Sequence, residues 1–179
     1  MFGCLLCFPS GALRARRVSS AASRLPGITS PRFALHGWQR LYEIAKREHL
    51  SLVAAMVDLD FFKQVNDSYG HHIGDVALQR VAASLEESIR ASDLLGRYGG
   101  EEFCILATNV SVNQIEHFFE RIRQKIADIR IPHEGKELQF TVSIGVYTSL
   151  GEGLEEMIGK ADEALYRAKN EGRNRVVID

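Results

Sequence analysis

The sequence contains no run of about 18 or more apolar residues, which argues against a membrane-spanning helix. It has only three cysteines, Cys4, Cys7 and Cys104, and this odd number matches no disulfide framework. We find no internal repeat. The composition, 45% hydrophobic and 25% charged over 179 residues, predicts one globular domain with a terminal extension, which we expect to be cytoplasmic.

Acidic residues are absent from the first 42 positions, which contain six arginines. The rest of the chain has 16 basic and 23 acidic residues, a net charge of −7, and such an acidic body argues against a nucleic-acid-binding face. Residues 1–30 are expected to form a linker or disordered segment, and residues 31–179 the folded domain. Cys4 and Cys7 have redox or metal spacing, but a lone pair without histidines is weak evidence for either role.

Hydrophobic periodicity predicts an alternation of helices and strands. The predicted elements are a helix at 33–49, a strand at 51–57, a short helical turn and polar loop at 61–75, a helix at 75–90, two strands around a Gly-Gly pair, a helix at 112–129, a strand at 137–147, a helix at 154–169 and a strand at 175–178. This order predicts an α/β (α+β) fold with a mixed central sheet, one β-hairpin and helices packed on the sheet.

The Gly-Gly pair lies in the sequence RYGGEEF at 97–103. A two-glycine turn favours positive φ and leaves the backbone bare, so that N–H groups can approach a ligand. Glu101 and Glu102 follow at once, and Asp58 ends the apolar run at 51–57. If the hairpin lies beside that run, Asp58 and Glu101 meet and can hold Mg²⁺ for phosphoryl transfer, as in polymerases and cyclases. The alternative is an ordinary hairpin with solvated acids.

Four separated blocks carry a family resemblance. They are DLDFFKQVNDSYGHHIGD (58–75), RYGGEEF (97–103), VSIGV (142–146) and ADEALYRAKNEGRN (161–174). In this order they resemble a GGDEF-family diguanylate cyclase over about residues 45–179, in the GGEEF variant.

The resemblance implies a fold like that of nucleotidyl cyclases and polymerase palms, and the condensation of two GTP molecules to cyclic di-GMP and pyrophosphate. It implies two Mg²⁺ (or Mn²⁺) ions per site, held by Asp58, the Leu59 carbonyl and Glu101. Glu101 is expected to take the 3′-hydroxyl proton, with Glu102 and Lys63 as further catalytic residues. Because each domain would hold one GTP, catalysis is expected to need a homodimer.

Substrate contacts are also assigned by the resemblance, to Phe61, Phe62, Asn66, His71, Asp75, Leu78, Gly100, Lys169 and Arg173. The amides of Phe61 and Phe62 would meet the phosphates, as would Lys169, Arg173 and the backbone at Gly100. Asn66 and Asp75 would read the guanine edge, Leu78 would wall the base, and His71 would lie near the ribose. By themselves Lys169 and Arg173 indicate a solvated helix end, and only their place in the fourth block assigns them to the substrate. Other acids, Asp60, Asp67 and Asp162, are expected to cap or hydrogen-bond rather than bind metal.

A second site is indicated by Arg90 and Asp93, at the spacing of the family's inhibitory Arg-x-x-Asp motif. Arginine can donate two hydrogen bonds to guanine O6 and N7, so the resemblance implies product binding and feedback inhibition there. An unremarkable helix-end pair is the alternative. Two other functions stay open: a catalytically weak receptor that binds cyclic di-GMP through this site, and a purely structural partner domain.

Overall fold

The computed structural model describes residues 31–179, with side chains described from Leu35 onward. The predictions for residues 1–30, including the Cys4/Cys7 pair, lie outside the described residues. The elements are α1 (Pro31–Arg47), β1 (Leu52–Leu59), α2 (Phe62–Ser88), β2 (Leu94–Arg97), β3 (Glu102–Thr108), α3 (Val112–Ala127), β4 (Ile131–His133), β5 (Lys136–Leu138), β6 (Val142–Tyr147), α4 (Leu154–Asn170) and β7 (Val176–Ile178).

Five strands form the central sheet, in the order β2-β3-β1-β6-β7. β6 and β7 are parallel and the other neighbours are antiparallel, so the predicted mixed sheet is confirmed. β1 occupies the centre, and all eight of its residues are buried. Its successive side chains point to opposite faces, one packed with α2 and α3 and the other with α1 and α4. No helix in the described range is long and apolar enough to cross a bilayer.

The polar loop predicted at 61–75 is wrong, because this segment is helical and belongs to α2. The helix is interrupted at a single residue, Gly70, whose φ of 80° and ψ of 159° are non-helical. Glycine adopts positive φ without a Cβ clash, so the chain can kink there and resume its helix at once. The kink folds the first part of α2 back towards the second, and this places several predicted site residues together.

The single strand predicted at 137–147 is also wrong. The chain forms β5 and β6 with a break between them, and β5 pairs with β4 as a separate two-stranded sheet. β4 was not predicted, since a three-residue strand leaves little periodicity to detect. The break leaves Thr141 at the end of β1, where its backbone carbonyl accepts a hydrogen bond from the Asp60 N–H at 2.9 Å.

The hairpin itself is confirmed, but its turn is not the predicted one. β2 and β3 pair in register from Leu94 opposite Leu106 to Arg97 opposite Phe103. Neither Gly99 nor Gly100 has positive φ. Four residues, not two, separate the strand ends, so the connection closes without a primed turn. Neither glycine is therefore needed for a left-handed backbone.

Candidate active site

The two acids predicted to share a metal lie at the same end of neighbouring strands. β1 and β3 are antiparallel, and their register places Asp58 opposite Glu102. The Leu59 N–H donates a hydrogen bond to the Glu101 carbonyl at 3.4 Å. The hairpin therefore lies directly beside β1, which is the condition under which the two acids were expected to meet, and it brings Glu101 to the strand end that carries Asp58.

Asp58 is in an electrostatically strained environment. Only 8% of its side chain is exposed, and its carboxylate forms an ion pair with Lys169, Nζ to Oδ2 at 2.8 Å. Burial raises the pKa of Asp58 to about 6; the Lys169 ion pair opposes this, and the charges of Glu101 and Glu102 add to it. Burial also raises the pKa of Glu102, again opposed by Lys169. The acids here outnumber the one ammonium group, so a bound cation would relieve their repulsion.

The oxygen donors at this strand end suit Mg²⁺ or Mn²⁺. Asp58 and Glu101 provide carboxylates, and Leu59 provides a backbone carbonyl. Among the described residues, no three His, Cys, Asp or Glu side chains form a ligand group by themselves. Mg²⁺ usually takes one or two carboxylates together with substrate phosphates, so the donor set fits an ion that is completed by a nucleotide.

The glycine loop is shaped by the side chains at its two ends. The Glu102 carboxyl lies so close to Gly99 that a Cβ there would collide with it. The Arg97 guanidinium donates to the carbonyls of Gly99 and Gly100, with Nε at 3.2 and 3.1 Å, and Nη2 also donates to Gly100. A Cβ at Gly100 would meet no atom within 4 Å. A side chain at Gly99 would thus displace the Glu102 carboxyl, whereas the backbone at Gly100 is open, as a close phosphate contact requires.

No role was predicted for Arg97. Burial lowers its pKa, and the charges of Asp75 and Glu101 oppose this shift. The guanidinium therefore interacts both with an acid predicted to read guanine and with an acid predicted to hold metal. The available sequence signal was its position two residues before a pair of glycines, whose carbonyls are unshielded acceptors.

The N-terminus of α2 has the geometry of an anion site. Phe61 occupies the N-cap position with φ 56° and ψ 27°, and no side chain caps the helix. The first N–H groups of a helix have no intrahelical acceptor, and their partial positive charge attracts anions. Lys63, in the first turn, is exposed. This is the geometry that the predicted phosphate contacts of Phe61, Phe62 and Lys63 require; the contacts themselves stay a prediction.

The kink in α2 places Asn66 against the second part of the same helix, where the other residues predicted to bind guanine lie. A Cβ at Gly74 would collide with the Asn66 side-chain oxygen, so Asn66 packs directly against the residue before Asp75. Asp75 and His71 are exposed on the same helix, whereas Leu78 is 2% exposed and belongs to the core. Asn66 therefore lies against the turn of α2 that carries Asp75; the contact of either side chain with a base stays a prediction.

Lys169 and Arg173 both lie at the end of β1. Lys169 pairs with Asp58, and the Arg173 guanidinium carbon lies 4.6 Å from the centroid of the Phe61 ring. Neither is a freely solvated helix end, so that alternative is wrong. Both cations stand beside the predicted phosphate site.

Asp60 is confirmed as a hydrogen-bonding group. Its carboxylate accepts from the hydroxyls of Thr141 and Ser143, each at 2.6 Å, and from the Asn174 N–H at 3.1 Å. For Asp67 and Asp162 the same expectation stays a prediction.

The Arg90–Asp93 segment forms a turn in which the two residues have different environments. Asp93 is buried and accepts from the Arg90 N–H at 2.9 Å, the Thr108 N–H at 3.1 Å and the Ser92 hydroxyl at 3.3 Å. The exposed Arg90 guanidinium makes no hydrogen bond or ion pair within residues 35–179. Both residues line two adjacent cavities of about 230 and 250 Å³. Asp93 therefore stabilises the turn, and Arg90 is available to a ligand.

Comparison with known proteins gives a consistent result. The family model described as "Diguanylate cyclase, GGDEF domain" matches residues 24–175. Diguanylate cyclase A of Treponema denticola is 42% identical over 135 residues, which are 74% of this chain but only 36% of that protein. The chain thus spans about a third of this relative's length.

Solved structures agree in fold. The GGDEF domain of DgcB from Caulobacter crescentus, in complex with c-di-GMP, superposes with a TM-score of 0.82 at 26% identity, over 91% of this chain and 98% of that one. The active GGEEF domain of a diguanylate cyclase from Vibrio cholerae superposes with a TM-score of 0.77 at 31% identity, over 84% and 97% of the two chains. The predicted fold class is confirmed.

Proposed function

This chain belongs to the GGDEF family of diguanylate cyclases, and from that premise we propose that it condenses two GTP molecules to cyclic di-GMP and pyrophosphate. The observation that carries the proposal is the convergence of Asp58, Glu101 and Lys169 at the end of β1, next to the uncapped start of α2. Carboxylates for a divalent cation and N–H groups for phosphates are thereby placed on one rim of the sheet.

Asp58, the Leu59 carbonyl and Glu101 would hold Mg²⁺ or Mn²⁺, two ions per site. When bound, the metal supplies Lewis-acid chemistry that polarises the α-phosphate and acidifies the attacking hydroxyl. Each condensation forms a bond between the 3′-oxygen of one GTP and the α-phosphorus of the other, and breaks the bond to pyrophosphate. The hydroxyl proton passes to the Glu101 carboxylate, while the charge of Glu102 supports its basicity.

The other residues bind and orient the nucleotide. The amides at the start of α2, with Lys63 and Arg173, would neutralise the β- and γ-phosphates, and Lys169 would exchange its contact with Asp58 for one with phosphate. Asn66 and Asp75 would pair with the guanine edge. The open backbone at Gly100 would approach the phosphates.

Each domain holds one GTP in this scheme, so two copies must meet face to face to bring the 3′-hydroxyl and the α-phosphate together. We therefore expect the specific activity to rise with protein concentration. The test is the initial rate of cyclic di-GMP formation from Mg²⁺–GTP over about a hundredfold range of protein. No cyclic di-GMP at the highest concentration would contradict the proposed activity.

Product inhibition through Arg90 is a second part of the proposal. Its guanidinium can donate two hydrogen bonds to a guanine, a contact that contributes about 1–3 kcal/mol. Arg90→Ala is expected to raise the concentration of cyclic di-GMP that halves activity by roughly 10- to 100-fold, with little effect on the uninhibited rate. Replacing Asp93 is a poorer test, because its three hydrogen bonds hold the turn.

The matched control is Arg80→Ala, which removes another exposed arginine, from α2. It is expected to leave inhibition unchanged. If cyclic di-GMP inhibits the Arg90→Ala variant as strongly as it inhibits the parent protein, the product does not bind through this residue.

A catalytically weak receptor for cyclic di-GMP is the alternative function. The specific observation in its favour is the Arg90 guanidinium, which makes no hydrogen bond or ion pair in the described part of the chain and lies beside two cavities. Titration calorimetry separates the two functions, because a receptor binds cyclic di-GMP but consumes no GTP.

A further inference from the structure

We propose that Asp60 is a positioning residue that fixes the Arg173–Asn174 turn, so that the Arg173 guanidinium stays over Phe61 at the phosphate end of the site. This inference rests on the proposed function, because it takes Arg173 to contact the phosphates of GTP. Asp60 itself would touch neither metal nor nucleotide.

The Asp60 carboxylate joins three separate segments of the chain. It is 4% exposed and directly follows β1. Its Oδ2 accepts from the Thr141 hydroxyl and from the Asn174 N–H, and its Oδ1 accepts from the Ser143 hydroxyl. One buried side chain, which directly follows β1, therefore forms hydrogen bonds through both of its oxygens to the start of β6 and to the turn after α4.

The turn that Asp60 holds has an unfavourable backbone. Arg173 and Asn174 are consecutive non-glycine residues with φ of 62° and 47°. Such residues persist in the left-handed region only where their surroundings fix them. Besides Asp60, the Arg123 guanidinium donates to the Asn174 side-chain oxygen at 2.6 Å, and the Arg173 N–H donates to Ala168 at 3.0 Å.

Both partners of the stacked pair are adjacent to this network. Phe61 is the next residue after Asp60 and is itself left-handed, with φ 56°. Arg173 immediately precedes Asn174, whose N–H donates a hydrogen bond to the Asp60 carboxylate. The Asp60 carboxylate thus lies one residue before the ring and holds the turn of the guanidinium that stands 4.6 Å from the ring centroid.

Asp60 is needed here as an acceptor rather than as a charge. An asparagine can keep its carbonyl oxygen at the Oδ2 position, for Thr141 and Asn174, and turn its amide towards Ser143, whose hydroxyl can accept. An alanine leaves all three donors unpaired. A metal ligand would behave differently, because the neutral amide would be about as damaging as alanine.

The test is equilibrium binding of a GTP analogue with a methylene group between the α- and β-phosphorus atoms, which cannot release pyrophosphate. Calorimetry in Mg²⁺ compares Asp60→Ala, Asp60→Asn, Arg173→Ala and the double alanine variant, with Asp128→Asn, an exposed acid on α3's C-terminal side, as control. Guanosine serves as the phosphate-free probe.

We expect Asp60→Ala and Arg173→Ala each to weaken analogue binding by roughly 10- to 100-fold, as for the loss of a hydrogen bond to a charged group. The double variant is expected to bind the analogue with an affinity within about twofold of that of Arg173→Ala, because Asp60 acts through Arg173. Asp60→Asn and the control should lie within about threefold of the parent protein. Guanosine binding should be unchanged throughout, which general damage to the fold would not allow.

Three outcomes would overturn the inference: Asp60→Asn as damaging as Asp60→Ala, additive losses in the double variant, or equal losses for guanosine. If Asp60→Ala does not fold, Thr141→Val takes its place, with a smaller loss expected in the parent and none in the Arg173→Ala background. The analogue is not consumed, so this binding test does not depend on turnover. If the protein forms no cyclic di-GMP, the proposed activity is contradicted, but the binding pattern still decides the role of Asp60.

Discussion

Glu101→Gln is expected to lower the rate of cyclic di-GMP formation by about a thousandfold or more. Glutamine keeps the size of the side chain but can neither accept the 3′-hydroxyl proton nor bring a negative charge to the metal, and general base catalysis alone contributes about 10²–10⁴. The fold should be preserved, because the hydrogen bond that Glu101 makes to Leu59 uses its backbone carbonyl. Initial rates at saturating Mg²⁺–GTP measure the effect.

Two variants bracket this result. Glu101→Asp keeps the carboxylate and produces the GGDEF form for which the family is named, so it should stay active. Glu116→Gln neutralises an exposed glutamate of α3 and should be without effect. A Glu101→Gln protein that retains a tenth of the parent rate would exclude Glu101 both as metal ligand and as proton acceptor.

Asp58→Asn is expected to abolish turnover and at the same time to stabilise the metal-free protein. The folded-state pKa of Asp58, about 6, lies above its ordinary value of 3.8. The folded protein therefore binds this proton more tightly than the unfolded chain, and ionised Asp58 destabilises the fold. The cost is absent below pH 3.8, grows as the pH rises towards 6, and reaches roughly 3 kcal/mol above it.

The measurement is urea unfolding of both proteins in EDTA at pH 5 and pH 8. The stability advantage of Asp58→Asn should increase by about 1–2 kcal/mol between these pH values, because asparagine does not ionise. Adding Mg²⁺ at pH 8 should stabilise the parent protein and not the variant. An advantage that is constant or shrinks with pH would show that Asp58 is not held in an unfavourable ionised state.

Local pattern predicted most of the elements. The apolar run before Asp58 is the buried central strand, and the alternation and helical periodicity elsewhere place all four helices of the described range near their observed positions. Where pattern failed, the signal was short or ambiguous: β4 has three residues, and the polar first half of α2 has no clear apolar face.

The candidate site was predicted in composition but not in arrangement. Sequence blocks named Asp58, Glu101 and Lys169 separately, and nothing in them predicted that Lys169 would pair with Asp58. Two contacts of the site were visible only in the structure. The Arg97 guanidinium folds onto the carbonyls of the two glycines that lie two and three residues further on, and the Asp60 carboxylate bonds to residues 81 to 114 positions away.

The sequence by itself determined the family, the order of the elements and the chemical types at the site, because each is written in local spacing that a short segment retains. The tertiary structure alone decided which charges meet. Strand register set Glu102 opposite Asp58, burial raised the pKa of Asp58 to about 6, and the Asp60 carboxylate fixed the turn that carries Arg173. These depend on desolvation and on contacts between distant segments, which exist only once the sheet and its helices have packed.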